Sequence, residues 1–334
     1  MTTSRSSEID VVALGHPLVD VLVHETDDVV ARAKVERGAM TMVDAARSDE
    51  IYAQLGPAQE TSGGSAANTA VGVTAFGGRA AFVGRIADDT FGKVFAHDLR
   101  SAGVEYDVPP ATDGSPTGRC LVIVAADADR TMCTYLGAGA EIDPRDVDEE
   151  RIASAQITYL EGYLWDEDVA KDAIRRAASF ARDAGRRVAL TLSDPFCVDR
   201  HRAEFLELIE SVVDIVFANE EEITMLYEVD SFDEAAKRVG ARCEVAALTR
   251  GAHGSVVISS GSRYNIPADP VDRVVDTTGA GDLYAAGVLY GLTHDHDPVT
   301  CGRLGSLAAA EVISHLGARP EASLATQIRA LLED

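Results

Sequence analysis

The sequence predicts an α/β fold: a parallel β-sheet covered on both faces by helices and carrying a small β insert. Three observations predict it. From Ile157 onward, short apolar runs alternate with stretches of helical period, and that alternation implies crossover connections and parallel strands. Near the N-terminus, Asp10-Val11-Val12-Ala13-Leu14 reads as a buried strand ended by Gly15. Between Pro116 and Ala140 the pattern changes. Two strand-like runs, 120–125 and 131–136, are joined by the polar turn Asp127-Ala128-Asp129-Arg130, which predicts a hairpin.

Taken in order, residues 18–24 alternate like a second strand, and 25–60 are charged and mixed. Ser62-Gly63-Gly64-Ser65 precedes a small-residue helix that runs through Ala75 and stops at Gly77-Gly78. A buried strand over 80–83 and a helix over 91–102, closed by Gly103, complete the first half. The second half pairs strand 157–160 with helix 166–184, and strand 187–192 with a helix around 203–209. Strand 215–218 leads into helix 220–227, and strand 245–249 follows a helix over 232–239. The expectation is a single domain over 1–334, with the insert built from about residues 16–61 and 116–140.

Bulk properties bound the function. A chain of 334 residues with 46% hydrophobic content can bury a sizeable core. Its formal net charge of −25 argues against nucleic acid and anionic membrane as partners. An anionic substrate would then require local positive charge or a metal. The five cysteines, Cys120, Cys133, Cys197, Cys243 and Cys301, form no C-x-x-C pair and fit a reducing compartment. No apolar run approaches bilayer length and the first residues carry no signal pattern, so a soluble, cytoplasmic protein is expected.

The most informative stretch is Asp276-Thr277-Thr278-Gly279-Ala280-Gly281-Asp282, which opens an apolar helical pattern through Leu292. Two close glycines permit tight dihedrals at a helix N-terminus whose N–H groups face an anion. Asp282 there either complements the helix dipole or does chemistry. The dinucleotide fingerprint is excluded because Tyr284 stands where its third glycine belongs. A P-loop is excluded because Gly92-Lys93 is followed by Val94.

Other constellations sit at strand ends, where open α/β sheets bind ligands. Gly64, Ser65 and Asn68 offer close backbone approach and hydrogen bonds suited to hydroxyls, or simply cap a helix. Asn219 and Glu222 either cap a helix or hold water around magnesium, which prefers oxygen ligands. Thr249, Arg250, Gly251 and Gly254 suit a phosphate, or a plain strand–turn–strand. Arg130 stands at the hairpin tip, where it is solvated or folds over a site. His294-Asp295-His296-Asp297 reads as a polar loop in which Asp297 caps a helix opened by Pro298, with no metal assigned.

Together these features resemble the ribokinase-like (PfkB) family of carbohydrate and nucleoside kinases. Gly63-Gly64-Ser65-Ala66-Ala67-Asn68 through Gly84-Arg85-Ile86-Ala87-Asp88-Asp89 and the Asp276–Asp282 motif carry the resemblance over nearly the whole chain. Gly15-His16-Pro17-Leu18-Val19-Asp20, Pro116-Thr117-Gly118-Arg119-Cys120, Leu192-Ser193-Asp194-Pro195-Phe196 and Phe217-Ala218-Asn219-Glu220 are similar to the adenosine-kinase branch. The resemblance implies a three-layer αβα Rossmann-like core with a β-sheet lid, and ATP with Mg²⁺. Phosphate would go to a primary hydroxyl of a nucleoside, adenosine first, or of a sugar (ribose, fructose or a keto-deoxy sugar acid). A non-catalytic nucleotide-binding regulator is the remaining alternative. It further implies Asp282 as base and Gly279, Ala280 and Gly281 as anion hole. Asp20, Gly64, Ser65 and Asn68 would grip substrate hydroxyls, and Tyr163 would lie against a purine. Asn219, Thr249, Gly251 and Arg130 would serve ATP, Glu222 would serve Mg²⁺ through water, and Asp276 would lie near a K⁺ ion. A monomer or a lid-mediated dimer is expected. His16 before Pro17, and Ala66-Ala67 after the Gly-Gly-Ser, depart from the adenosine-kinase pattern.

Overall fold

Two sheets organise the chain in the computed structural model, which describes residues 9–24, 27–125 and 130–333. The strands of the first half are β1 (Ile9–Leu14), β2 (Leu18–His24), β3 (Met40–Met42), β4 (Gln59–Gly63), β5 (Ala80–Val83), β6 (Thr117–Val124) and β7 (Arg130–Gly137). Those of the second half are β8 (Ala155–Glu161), β9 (Arg187–Thr191), β10 (Ile215–Asn219), β11 (Val245–Thr249), β12 (Ser255–Ser259) and β13 (Ser262–Ile266). The larger sheet has the order β13-β12-β11-β10-β9-β8-β1-β5. From β5 to β11 its neighbours are parallel. The last two strands are antiparallel and correct the all-parallel expectation. The cause is connection length: the single turn Gly251–His253 reverses the chain after β11, and a parallel partner would need a crossover.

The smaller sheet has the order β3-β7-β6-β2-β4. Strands β6 and β7 form the expected hairpin, while residues 127–129 of its turn lie outside the described residues. The charged stretch after β2 resolves into helix Asp27–Ala33, β3, helix Ala45–Tyr52 and β4. Ser62 and Gly63 therefore belong to an edge strand rather than to a loop. Strand β2 alternates strictly. Val19, Val21 and Val23 are buried on one face, which puts Leu18, Asp20 and Leu22 on the other.

Packing follows period. Helix Asp168–Asp183 buries Ala170, Ala173, Ile174, Ala177, Ala178 and Ala181, a stripe at helical spacing against the sheet. Helix Pro195–Ser211 carries non-helical dihedrals at His201, so only its second part reads as periodic in sequence. Helix Ala280–Thr293 is buried along most of its length and packs on helix Ser65–Ala75. Small residues permit that contact: a Cβ on Gly72 would lie 2.5 Å from Ala286 Cβ. The two helix N-termini are thereby held side by side. Asp297 caps helix Pro298–Val312 as expected, accepting from Val299 and Thr300 N–H. All five cysteines are buried and unpaired. Among the described residues, no helix is long and apolar enough to cross a membrane.

Candidate active site

The carboxyl ends of the parallel strands collect the polar groups that the core excludes. Strand β1 gives way to Gly15, β8 ends on Glu161, β10 on Asn219 and β11 on Thr249. The register sets Asn219 beside Thr249 and Glu161 beside Thr191. This crevice is where doubly wound sheets bind ligands.

Asp282 lies in the first turn of helix Ala280–Thr293. Ser65 Oγ donates to its Oδ1 at 2.6 Å and Asn68 Nδ2 to its Oδ2 at 2.9 Å, so both oxygens are oriented from the neighbouring helix. Burial pushes the Asp282 carboxyl up to about 6, against the two hydrogen bonds and the Arg319 charge, with Glu161 adding to the rise. The turn before it is fixed by packing. Gly279 has φ +79°, and a Cβ there would come within 2.8 Å of Ala318 Cα. Gly281 differs, since a Cβ on it would meet nothing within 4 Å. The space beside Gly281 at the helix N-terminus is thus open, the kind of place that receives an anion, while the Ala280 N–H donates to Thr277 O at 3.2 Å.

Asp20 joins this group from the smaller sheet. A Cβ on Gly63 would lie 2.2 Å from Asp20 Oδ2, so the edge strand closes over the carboxylate only because residue 63 is glycine. Burial pushes Asp20 up to about 6; Arg319 and Arg130 pull it down, and Asp282 pushes it up. Gly64 stands at the N-cap of helix Ser65–Ala75 with φ +97°. Asn68 Oδ1 is buried and has no hydrogen-bond partner.

Two charged residues at this site escape a reading of sequence pattern. Glu161 is buried, accepts from His16 N at 3.3 Å and Ala66 N at 2.8 Å, and lies 3.2 Å from His16 Nδ1. Arg319 donates to Ser62 O, Ser62 Oγ and Ala67 O at 2.9–3.2 Å. Burial lowers its guanidinium to about 10, with Asp98, Asp20 and Asp282 opposing. The signals were present but thin: a lone Glu before Gly162, and an Arg inside Gly317-Ala318-Arg319-Pro320.

Asp276 and Arg130 meet at the entry to the glycine turn. Asp276 Oδ1 accepts from Thr278 N at 3.0 Å and Thr278 Oγ1 at 2.8 Å; its Oδ2 accepts from Gly317 N at 2.8 Å. Arg130 Nη2 lies 2.7 Å from Asp276 Oδ2, and Arg130 Nη1 donates to Thr278 Oγ1 at 3.0 Å. Both oxygens of Asp276 are therefore engaged within the protein, and its carboxylate shapes the turn.

Asn219 and Glu222 cap the helix Glu220–Tyr227 reciprocally. Glu222 N donates to Asn219 Oδ1 at 2.8 Å, while Asn219 N and Nδ2 donate to the Glu222 carboxylate at 2.9 and 2.5 Å. Burial pushes Glu222 up to about 7, the Asn219 N–H bond lowers it, and Asp194 and Glu221 raise it. A buried carboxylate in the field of two others is suited to a hard cation. Among the described residues, no three His, Cys, Asp or Glu side chains converge as a cage. A magnesium ion would therefore be held largely by phosphate oxygens and water, with Glu222 behind the water. Thr249 ends β11, and Gly251 follows with φ +55°. Between them, Arg250 forms a two-pronged pair with Glu220 at 3.0 and 3.1 Å and covers the Phe232 ring.

Tyr163 links the two groups. Its N–H donates to Ser193 Oγ at 3.1 Å, where Ser193 takes a left-handed φ of +74°. Its hydroxyl donates to Ser193 O at 3.5 Å, and burial raises the phenol, with Asp194, Glu161 and Asp282 adding to the rise. The structure thus gathers Asp20, Gly64, Ser65, Asn68, Asp282 and Arg130 at one end of the crevice. Asn219, Glu222, Thr249 and Gly251 lie at the other, with no direct hydrogen bond to Asp282.

Residues 38–324 match the model of the pfkB family carbohydrate kinases. The chain is 27% identical to adenosine kinase of Saccharomyces cerevisiae over 328 residues, covering 92% of this chain and 95% of that protein. It is 28% identical to 5-dehydro-2-deoxygluconokinase of Geobacillus kaustophilus over 263 residues, covering 75% and 78%. Among solved structures, adenosine kinase from Sinorhizobium meliloti superposes with a TM-score of 0.89 at 47% identity, covering 97% of this chain and 99% of that one.

Proposed function

The chain belongs to the pfkB family of carbohydrate kinases, phosphotransferases with an alcohol group as acceptor, and from that premise we propose that it phosphorylates a nucleoside. The donor is the γ-phosphate of ATP, the acceptor is a primary ribose hydroxyl, and adenosine is the first candidate. The observation that carries this reading is the Asp282 carboxylate, oriented at both oxygens by Ser65 and Asn68 beside an open helix N-terminus. As the hydroxyl oxygen approaches the γ-phosphorus, Asp282 accepts its proton, a contribution of about 10²–10⁴ in rate. The N–H groups at Gly279–Gly281 stabilise charge on the transferring group. Bound Mg²⁺ would neutralise phosphate charge, with Glu222 and Asn219 orienting its water. Arg130 would exchange Asp276 for a phosphate oxygen. Asp20 and the partnerless Asn68 Oδ1 supply acceptors for ribose hydroxyl donors.

Charge selects among acceptors. A sugar acid would bring its carboxylate to a site already holding Asp20 and Asp282, and the Arg319 donors are engaged with Ser62 and Ala67. A neutral acceptor avoids that repulsion. The Tyr163 ring, held against Ser193 at the end of the crevice, offers a flat face that suits a purine better than a free sugar. An ADP-release assay across adenosine, inosine, guanosine, ribose, fructose and 5-dehydro-2-deoxygluconate tests it. Adenosine should give the highest kcat/KM; a sugar or sugar acid turned over faster than every nucleoside would overturn the reading.

A further inference from the structure

We propose that Arg319 is a positioning residue for the transfer step: it balances the charge of the Asp20–Asp282 pair and fastens the acceptor-binding segment to the glycine turn. Residues 317–319 work as one strap. Gly317 N–H holds Asp276 Oδ2 at 2.8 Å, and Ala318 fills the space a Cβ on Gly279 would need. Arg319 then directs four hydrogen bonds into Ser62 and Ala67, immediately around Gly64 and Ser65. Through this strap the two halves of the site, far apart in sequence, share one rigid connection.

The surrounding charges show why a cation is needed. Asp98, from the helix Thr90–Ser101, accepts from Ser62 N and Oγ at 2.7 and 2.6 Å. Ser62 Oγ, which donates to Asp98, accepts from Arg319, so the two charges meet at one hydroxyl; the Arg319 charge also lowers Asp20 and Asp282, while Glu161 of β8 raises Asp282 and Arg130 of β7 lowers Asp20. With Asp276, paired to Arg130 at 2.7 Å, five carboxylates thus stand around two guanidinium groups. Removing one cation from a partly desolvated cluster leaves the carboxylates poorly compensated. Proton uptake is the cheapest relief.

This rests on Asp282 as the proton acceptor, and two variants separate charge from fastening. Arg319→Gln removes the charge, and the acid limb of the kcat/KM profile should rise by about one pH unit. Arg319→Lys keeps the charge but loses the planar fork, so the limb should stay while kcat falls about tenfold. Asp98→Asn relieves the competition for Arg319 and should move the limb downward, a reading that survives if the glutamine variant does not fold. A limb unmoved in Arg319→Gln, moved equally in both Arg319 variants, or raised in Asp98→Asn overturns the proposal. A second readout needs no turnover. The melting-temperature gap between wild type and Arg319→Gln should widen from pH 5 to pH 8, because the variant's carboxylates ionise later in the folded state. A gap constant with pH also overturns it. Wild-type protein that releases no ADP with any acceptor sinks the functional reading instead, and the melting series still decides the role of Arg319.

Discussion

Arg130, the first residue of β7, lies 2.7 Å from Asp276 Oδ2 and donates to Thr278 Oγ1, so the smaller sheet is tied to the turn that precedes the helix Ala280–Thr293. On the proposed function, a γ-phosphate at the turn would compete with Asp276 for the same guanidinium.

Replacing Arg130 by Gln should therefore weaken the ATP step more than the acceptor step. One charge-assisted hydrogen bond contributes about 1.5–3 kcal/mol. Initial-rate kinetics should show kcat/KM for ATP lowered about 10- to 100-fold, with the acceptor KM changed far less. An ATP dependence identical to wild type would remove Arg130 from the phosphate site.

Asp282→Asn should keep both ligands bound and lose about 10²–10⁴ in kcat. Asparagine can still accept from Ser65 but takes no proton from the attacking hydroxyl. Calorimetric binding within a few-fold of wild type, beside the lost turnover, is the expected pair of results; retained kcat would eliminate the base.

The pH profile follows from two carboxyl groups raised to about 6, Asp282 and Asp20. Catalysis needs both ionised, so kcat/KM should rise with pH through about 6 and then level. Stability moves the opposite way. A carboxyl whose folded value exceeds its unfolded value near 4 stabilises the folded state below the unfolded value, and that contribution is lost as pH climbs through about 6. Equilibrium denaturation at pH 4.5 and 7.5 in Asp282→Asn measures its share. A variant with the same pH slope as wild type would contradict the assignment.

Gly279 and Gly281 should respond differently to alanine. At position 279 the left-handed φ and the contact with Ala318 predict a loss of about 1–3 kcal/mol, read by chemical denaturation. At position 281 a methyl group meets no protein atom, so the fold should hold while turnover falls, because the methyl enters the space reserved for the anion. Equal stability losses at the two positions would refute this division.

Glu222→Gln tests the other end of the crevice. The glutamine carbonyl can still accept one bond from Asn219, so the helix cap should weaken by less than about 1 kcal/mol. The Mg²⁺ concentration for half-maximal rate should rise about tenfold if the carboxylate orients metal-bound water. An unchanged Mg²⁺ requirement would leave Glu222 as a cap only.

What could be read in the sequence was set by distance along the chain. The glycine turn was legible because Asp276, Gly279, Gly281 and Asp282 are contiguous and the helix they open is apolar throughout. The buried strands β1, β8, β10 and β11 were legible because their apolar runs are uninterrupted. The edge strands β4 (Gln59–Gly63) and β13 (Ser262–Ile266) were not, because they carry polar residues, whereas the edge strand β5 is buried throughout and was legible. Arg319 was not legible either. Its partner Ser62 is 257 residues away, and no local pattern marks a side chain whose role lies in that pairing.

The strap at 317–319 also sets a timetable. Asp282 is 217 positions from Ser65, and Arg319 is 257 from Ser62. A nascent chain emerging from the ribosome can fold β1 and β5 early, because domains form from the N-terminus during synthesis. It cannot close the contacts of Asp282 with Ser65 and of Arg319 with Ser62 until those later residues have left the exit tunnel. Partial translation products would therefore contain most of the sheet but neither bind the acceptor properly nor consume ATP. Residues 317–319 thus complete the contacts around Ser62 and Ala67 only after most of the sheet has been made.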